Sequence, residues 1–215
     1  MANIDPTQPG RIRKWYNVFW RLYDPLLGLL EGSGFKAWRH LLWSKTEGKR
    51  ILEVGVGTGR NFPFYPARSN ITAVDFSDKM LARARQKAEQ AGLKVRLELM
   101  DVQHLDFPDN TFDTVVSSWV FCEVADPVQG LKEVKRVVRS GGKVLLLEHV
   151  ISDNKWLARL MNWINPLLSG LVGENINRDT AYNVKESGLI VEKVTRLAPG
   201  VRLIEARKER IYMLK

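Results

Sequence analysis

Ile51-Leu52-Glu53-Val54-Gly55-Val56-Gly57-Thr58-Gly59 decides the reading of this chain. An apolar run of strand type ends in three glycines spaced two apart, and a helical pattern is expected behind them. Glycines at such a turn let the backbone bend tightly and approach a ligand where a Cβ would collide. Sixteen residues past Gly59, Asp75 closes the next apolar run, ITAVDF (71–76), in a position to accept hydrogen bonds from ribose hydroxyls. Asp101 closes the third run, VRLELMDV (95–102). The dinucleotide fingerprint is G-x-G-x-x-G; this turn reads G-x-G-x-G with Glu53 before it, so it belongs to a different nucleoside site.

Working outward, strand and helix patterns alternate. A helix is expected from Ser77, a good N-cap, to Ala91. FDTVVSSWVF (112–121) follows as a strand, then a helix over 127–138 and the strand GGKVLLLEHVI (141–151). Strands rich in Val, Ile and Leu separated by helices predict an α/β fold with a parallel sheet covered on both faces. After Asp153 an aromatic, apolar segment (156–173) leads to the polar turn GENINRD (173–179), a short helix near 180–187 and two late strands, LIVEKVTRL and RLIEARK. The expected organisation is a set of N-terminal helices over 1–49 and one domain over 50–215, with a substrate-cap insertion at about 153–180.

Composition bounds the partners. Thirty-three Lys+Arg against 24 Asp+Glu give a formal charge of +9, which favours a polyanionic partner, nucleic acid or an anionic lipid surface. Residues 1–50 hold nine basic and four acidic side chains, so this quarter carries +5 of that charge. Arg11, Arg13, Lys14 and Arg21 alternate there with Trp15, Phe19 and Trp20, a mixture suited to a membrane interface or to a lid packed on its own domain. No nucleic-acid-binding module accompanies the charge, and nucleic acid is not expected as a partner. One cysteine, Cys122, provides neither a disulfide framework nor a thiolate cluster, and no metal site is expected, His40 and His104 lacking partners at ligand spacing. No run reaches the ~20 apolar residues of a membrane span. The expected location is cytoplasmic, peripheral to the inner face of the membrane.

Glu53-x-Gly55-x-Gly57-x-Gly59 with Asp75 and Asp101 resembles the class I S-adenosylmethionine-dependent methyltransferases, strongly over residues 50–150. The resemblance implies a Rossmann-like doubly wound sheet, mostly parallel with an antiparallel C-terminal edge, carrying N-terminal lid helices. It implies S-adenosyl-L-methionine as cofactor and S-adenosyl-L-homocysteine as product. By position, Gly55, Gly57, Thr58 and Gly59 would lie beneath the methionine part, with Glu53 acting through water or long-range attraction. Asp75 would hold the ribose, Phe76 and Met80 would flank the adenine, Asp101 and Val102 would bind its edge, and Ser118 would border the sulfonium.

Three further stretches, LDFPDNTFD (105–113), LKEVKRVVRSGGKVLLLEH (131–149) and Tyr23-Asp24 ahead of Gly34-Phe35-x-x-Trp38, are similar to the ubiquinone/menaquinone C-methyltransferases. Bacterial phospholipid N-methyltransferases of the Rhodobacter type and related thiol methyltransferases resemble the same group. Glu148-His149 followed by an apolar aromatic stretch and GENINRDT (173–180) resembles the phospholipid and thiol branches more closely. The resemblance therefore implies N-methylation of phosphatidylethanolamine at an anionic membrane surface, with quinone C-methylation, thiol or small-molecule methylation and a non-catalytic binding module as alternatives. A primary ammonium must lose a proton before it can attack a methyl group. His149 is the expected proton acceptor, Glu148 its orienting partner or an attractor of the amine, and Tyr23 a lid residue contacting cofactor and amine. Arg178 is the candidate for a headgroup phosphate.

Overall fold

The computed structural model describes residues 33–151 and 178–210, together with Gly10, Trp156, Arg159 and Trp163. Tyr23, the basic aromatic stretch from Arg11 to Arg21 and most of the 153–180 insertion lie outside the described residues. The described chain runs α1 (Ser33–Ser44), β1 (Arg50–Val54), a single 3₁₀ turn (Phe62–Phe64), β2 (Asn70–Asp75), α2 (Asp78–Gln90), β3 (Arg96–Leu99) and β4 (Phe112–Ser118). It continues through α3 (Pro127–Val137), β5 (Val138–His149), α4 (Thr180–Glu186), β6 (Ile190–Ala198) and β7 (Val201–Arg207).

Seven strands form one sheet in the order β3-β2-β1-β4-β5-β7-β6. The first five are parallel, and β7 runs antiparallel between β5 and β6. This is the parallel α/β sheet that the sequence pattern predicts, with the antiparallel C-terminal edge that the family resemblance implies. Chain order reverses between β1 and β4, so the loops leaving their C-terminal ends diverge and open a crevice there.

Both faces of the sheet are covered because the central strands are apolar on both sides. On one face Leu52, Val54, Val115, Val144 and Leu146 pack against Leu131, Val134 and Val137 of α3 and Val184 of α4. On the other, Ile51, Val116, Leu145 and Leu147 meet Leu42 and Trp43 of α1, while Ala73 meets Leu81, Ala84 and Ala88 of α2. Burying each large apolar side chain contributes about 1.5–3 kcal/mol. The last part of the N-terminal region is thus integral to the core.

Caps set the helix starts: the Ser77 hydroxyl accepts from Met80 N, Asp126 from Gln129 N and Asp179 from Tyr182 N. Two strands stop short of their apolar runs. β3 ends at Leu99, and Asp101 instead forms an isolated bridge with His104. β4 ends at Ser118 because Trp119 adopts a left-handed backbone, φ 60°, which turns the chain out of the sheet.

At the opposite end of the sheet Asp113 fastens the strand entries. Its carboxylate accepts from Lys49 N and Arg50 N, both at 2.9 Å, and from Arg139 Nε at 3.0 Å. Burial pushes its carboxyl up, but the Arg50 and Lys49 amides and the Arg50 guanidinium outweigh that and hold it below the usual range. Asp113→Ala is expected to cost about 1–3 kcal/mol by leaving these donors without their acceptor. Chemical denaturation checks this, and the loss should be largest near neutral pH, where the carboxylate is ionised.

Candidate active site

A crevice opens at the C-terminal ends of β1, β2 and β4, where open α/β sheets bind their ligands. Gly55, Gly57, Asp75, Phe76, Met80, Asp101, Val102 and Ser118, all expected to contact the cofactor, line it. Glu53, Thr58 and Gly59 lie behind that wall.

The three loop glycines all have positive φ, 73°, 55° and 79° at Gly55, Gly57 and Gly59, yet they serve different needs. A Cβ on Gly55 would sit 2.1 Å from Val120 Cγ2, and one on Gly59 would sit 2.3 Å from the Phe62 ring. Those two permit internal packing. A Cβ on Gly57 would meet nothing within 4 Å although the residue faces the cleft. Its open side is space for a ligand.

Asp75 shapes that loop as well as facing the cleft. One carboxylate oxygen accepts from Gly57 N at 2.8 Å, the other from Ser77 N at 2.9 Å. Burial drives its carboxyl up to about 6, against the stabilising donations of the Ser77, Gly57 and Phe76 amides. Three amide donors against about four acceptor positions leave the carboxylate room for a ligand hydroxyl. Asp101 accepts from Gln103 N at 2.9 Å and from Gln103 Nε2, which aims its carboxylate across from Phe76 and Met80. Thr58 is fully buried and accepts from Lys87 Nζ of α2 at 3.3 Å.

Behind the loop lies a polar network that the sequence reading missed. Glu53 is fully buried and accepts from Asn61 Nδ2 at 2.5 Å and from the Tyr65 hydroxyl. Asn61 Nδ2 also donates to Ser118 Oγ at 3.0 Å, while Arg39 Nη1 donates to Asn61 Oδ1 at 2.8 Å and lies 3.4 Å from Ser118 Oγ. Burial raises the Glu53 carboxyl to about 7 despite the donations of Tyr65 and Asn61 and the nearby Arg39 charge. Glu53 thus ties β1 to the turn after the glycine loop, and its neighbour Ser118 ties that network to β4. A carboxylate inside an apolar strand demands donors from elsewhere in the chain; that was the available signal, although nothing local says which residues supply them.

Two expected site residues prove to hold a loop. Glu148, read as a partner for His149, points to the opposite face of β5, because adjacent strand residues alternate. It is fully buried; one oxygen accepts from Ser117 Oγ, Val120 N and Phe121 N, the other from Cys122 N. Burial raises its carboxyl to about 7, opposed by the Phe121, Val120 and Cys122 amides. Arg178 Nη1 donates to the carbonyls of Phe121 and Val124. Carboxylate and guanidinium therefore clamp the same loop, one by its amides and one, through Nη1, by its carbonyls.

His149 lies on the other face, its ring 4.3 Å from the Trp119 indole. It does not line the cleft, and desolvation lowers its pKa, so the imidazole is neutral at pH 7. Its Nδ1 is buried without a hydrogen-bond partner among the described residues. No group of three or more His, Cys, Asp or Glu side chains is placed to hold a metal ion among the described residues.

Residues 52–146 match the family model described as a methyltransferase domain. A phosphatidylethanolamine N-methyltransferase from Cereibacter sphaeroides is 43% identical over 190 residues, covering 84% of this chain and 89% of that relative. A ubiquinone/menaquinone biosynthesis C-methyltransferase, UbiE, from Bdellovibrio bacteriovorus is 34% identical over 154 residues, 69% of this chain and 65% of that relative. Among solved structures the [4+2]-cyclase SpnF superposes with a TM-score of 0.78 over 96% of this chain and 98% of its own, at 18% identity, a likeness of fold. The chain belongs to the class I S-adenosylmethionine-dependent methyltransferases.

The cleft fits that cofactor: an open Cβ position at Gly57, a carboxylate at each of two strand ends, and Phe76, Met80 and Val102 as apolar surface between them. Gly57→Ala is therefore expected to lose about 1 kcal/mol of stability through backbone strain but to weaken S-adenosylhomocysteine at least tenfold. Gly55→Ala should fail first in stability, its Cβ driven into Val120. Melting curves with and without ligand separate the two.

Proposed function

We propose that this methyltransferase N-methylates phosphatidylethanolamine and its partly methylated intermediates toward phosphatidylcholine, working at the cytoplasmic face of the membrane. The observation that carries the reading is the 43% identity over 89% of a relative named for that reaction. The net charge of +9 agrees with an anionic lipid surface as partner, and among the described residues no helix is long and apolar enough to cross a membrane. Methylation of a quinone precursor at carbon is the second reading, favoured by the 34% identical relative.

In this reading S-adenosylmethionine supplies a methyl group made electrophilic by its sulfonium. Gly57 and the loop amides cradle the chain of the cofactor, Asp75 accepts from its ribose hydroxyls, and Asp101 with Val102 binds the adenine edge between Phe76 and Met80. Ser118 borders the reacting end. The protein's task is alignment in a site from which water is excluded, worth up to ~7–11 kcal/mol, plus removal of one proton from an ammonium of pKa near ~10. His149, neutral behind Trp119, does not line the cleft, and in this reading it takes that proton through an intervening water. Tyr23, outside the described residues, would close over the amine.

Incubation with methyl-labelled S-adenosylmethionine and separate vesicles of phosphatidylethanolamine or demethylated quinone tests the reading. Label is expected in the lipid fraction, and label in quinone alone would replace it by the second reading. His149→Gln should lower kcat about 10²-fold or more while leaving cofactor affinity unchanged.

Asp75 makes binding pH-dependent. Ribose hydroxyls donate to the ionised form, and the empty site titrates at about 6, so affinity is constant above pH 6 and falls about tenfold per unit below it. Calorimetry with S-adenosylhomocysteine should show this slope, and Asp75→Asn should be weak at every pH and lack it.

A further inference from the structure

The cleft wall is selective in charge. Asp75, Asp101 and Glu123 line it, and among the described residues no lysine, arginine or histidine does, in a chain of net charge +9. Such a wall favours cationic ligands, and the cofactor's sulfonium accounts for one. Directly after Ser118, at the reacting end, the wall becomes aromatic. Trp119 lines the cleft, its indole backed by the His149 ring at 4.3 Å and flanked by Phe35 at 5.6 Å, which in turn lies 5.0 Å from Trp38. Burial favours the neutral form of His149, so no positive charge stands behind the indole when the ammonium first binds.

The backbone singles out the same residue. At φ 60° Trp119 occupies a conformation that glycine takes freely and a bulky side chain takes at a cost of about 1–3 kcal/mol. It is held there by donation from its own N to Leu147 O at 2.8 Å and by the Glu148 clamp on the next three amides. The indole packs in part against the α1-side core, and as a half-buried residue of the cleft lining it also has surface to offer a ligand.

We infer that Trp119 is the specificity residue of the acceptor half: the face of its indole receives the substrate's ammonium head by cation–π attraction. The assignment rests on the phospholipid reading above and explains how one site serves successive methylations. A site that grips an amine through N–H donors loses one hydrogen bond with each methyl added, whereas attraction to an aromatic face needs none. Glu123, on the following turn of the loop, adds negative potential without requiring an N–H.

The test uses the full chain saturated with S-adenosylhomocysteine and titrated calorimetrically with phosphocholine, then with phosphoethanolamine. Trp119→Gly removes the ring and relieves the strained φ but gives up its packing on the α1-side core, so a melting curve and retained S-adenosylhomocysteine binding establish the fold first; Trp119→Phe keeps an aromatic face and most of that packing. Phosphocholine affinity is expected to fall roughly 3- to 30-fold in Trp119→Gly, the span of a cation–π contact, and less than about 3-fold in Trp119→Phe. S-adenosylhomocysteine affinity should stay within about twofold in both. Equal phosphocholine binding by wild type and Trp119→Gly overturns the inference, as does no detectable binding by wild type. Parallel loss of phosphocholine and S-adenosylhomocysteine overturns it too, by making Trp119 a cofactor wall. Trp119-dependent phosphocholine binding without label in the lipid fraction would instead overturn the phospholipid reading alone.

Discussion

Three buried carboxylates, each at or near the C-terminal end of a parallel strand, organise everything above the sheet. Glu53, next to last in β1, grips the turn at Asn61 and Tyr65; Asp75 closes β2 and grips the amides of Gly57 and Ser77; Glu148 grips the three amides after Trp119. Parallel strands end in the interior, where loop amides have no strand partner and little water, and an unsatisfied amide costs about as much as a lost hydrogen bond. A carboxylate with four acceptor positions satisfies several at once. Burial raises all three, to about 7, 6 and 7, so each depends on its donors to remain ionised near neutral pH. The loops and the acids hold one another.

This mutual dependence explains which parts of the site could be read from sequence. The glycine loop and Asp75 were legible because local spacing carries their meaning: the strand, the turn and the next strand's last residue follow within 25 positions. The N-cap at Ser77 and the presence of two late strands were legible for the same reason, their antiparallel direction coming only from the family resemblance, and β3 and β4 end three residues earlier than their apolar runs suggest. An apolar run records burial and not direction, and Trp119-Val120-Phe121 stays buried or half-buried while leaving the sheet. The loop-holding contacts of Glu148 and Arg178 carried no local signal, because they reach a loop 26 to 57 residues away. Adjacency in the chain suggested a Glu–His pair; strand alternation separates it. Arg39, 22 residues before its partner Asn61, carried no local signal at all.

Fold and reaction separate cleanly here. A cyclase shares the fold at TM-score 0.78 and 18% identity, so the sheet by itself fixes where a ligand binds and leaves the chemistry open. What narrows the chemistry is the side-chain content of the loop after β4 and of the helices laid over it. That loop is clamped from the α3 side by Glu148 and Arg178 and faces the α1 side through Trp119 and His149. The clamp residues can stay constant while the residues facing the cleft change the acceptor, because the two sets point in opposite directions from the same strands.

On the phospholipid reading, the distribution of charge has a direction. A chain of net charge +9 approaches an anionic bilayer through a long-range field that is screened within ~8 Å at physiological salt. The same field would repel an ammonium headgroup if it continued into the site. Three carboxylates and no basic side chain on the described cleft wall reverse its sign over a few ångströms, so that attraction to the surface and attraction to the headgroup act in sequence. A quinone acceptor carries no cation and would gain nothing from that reversal beyond what the cofactor's sulfonium requires.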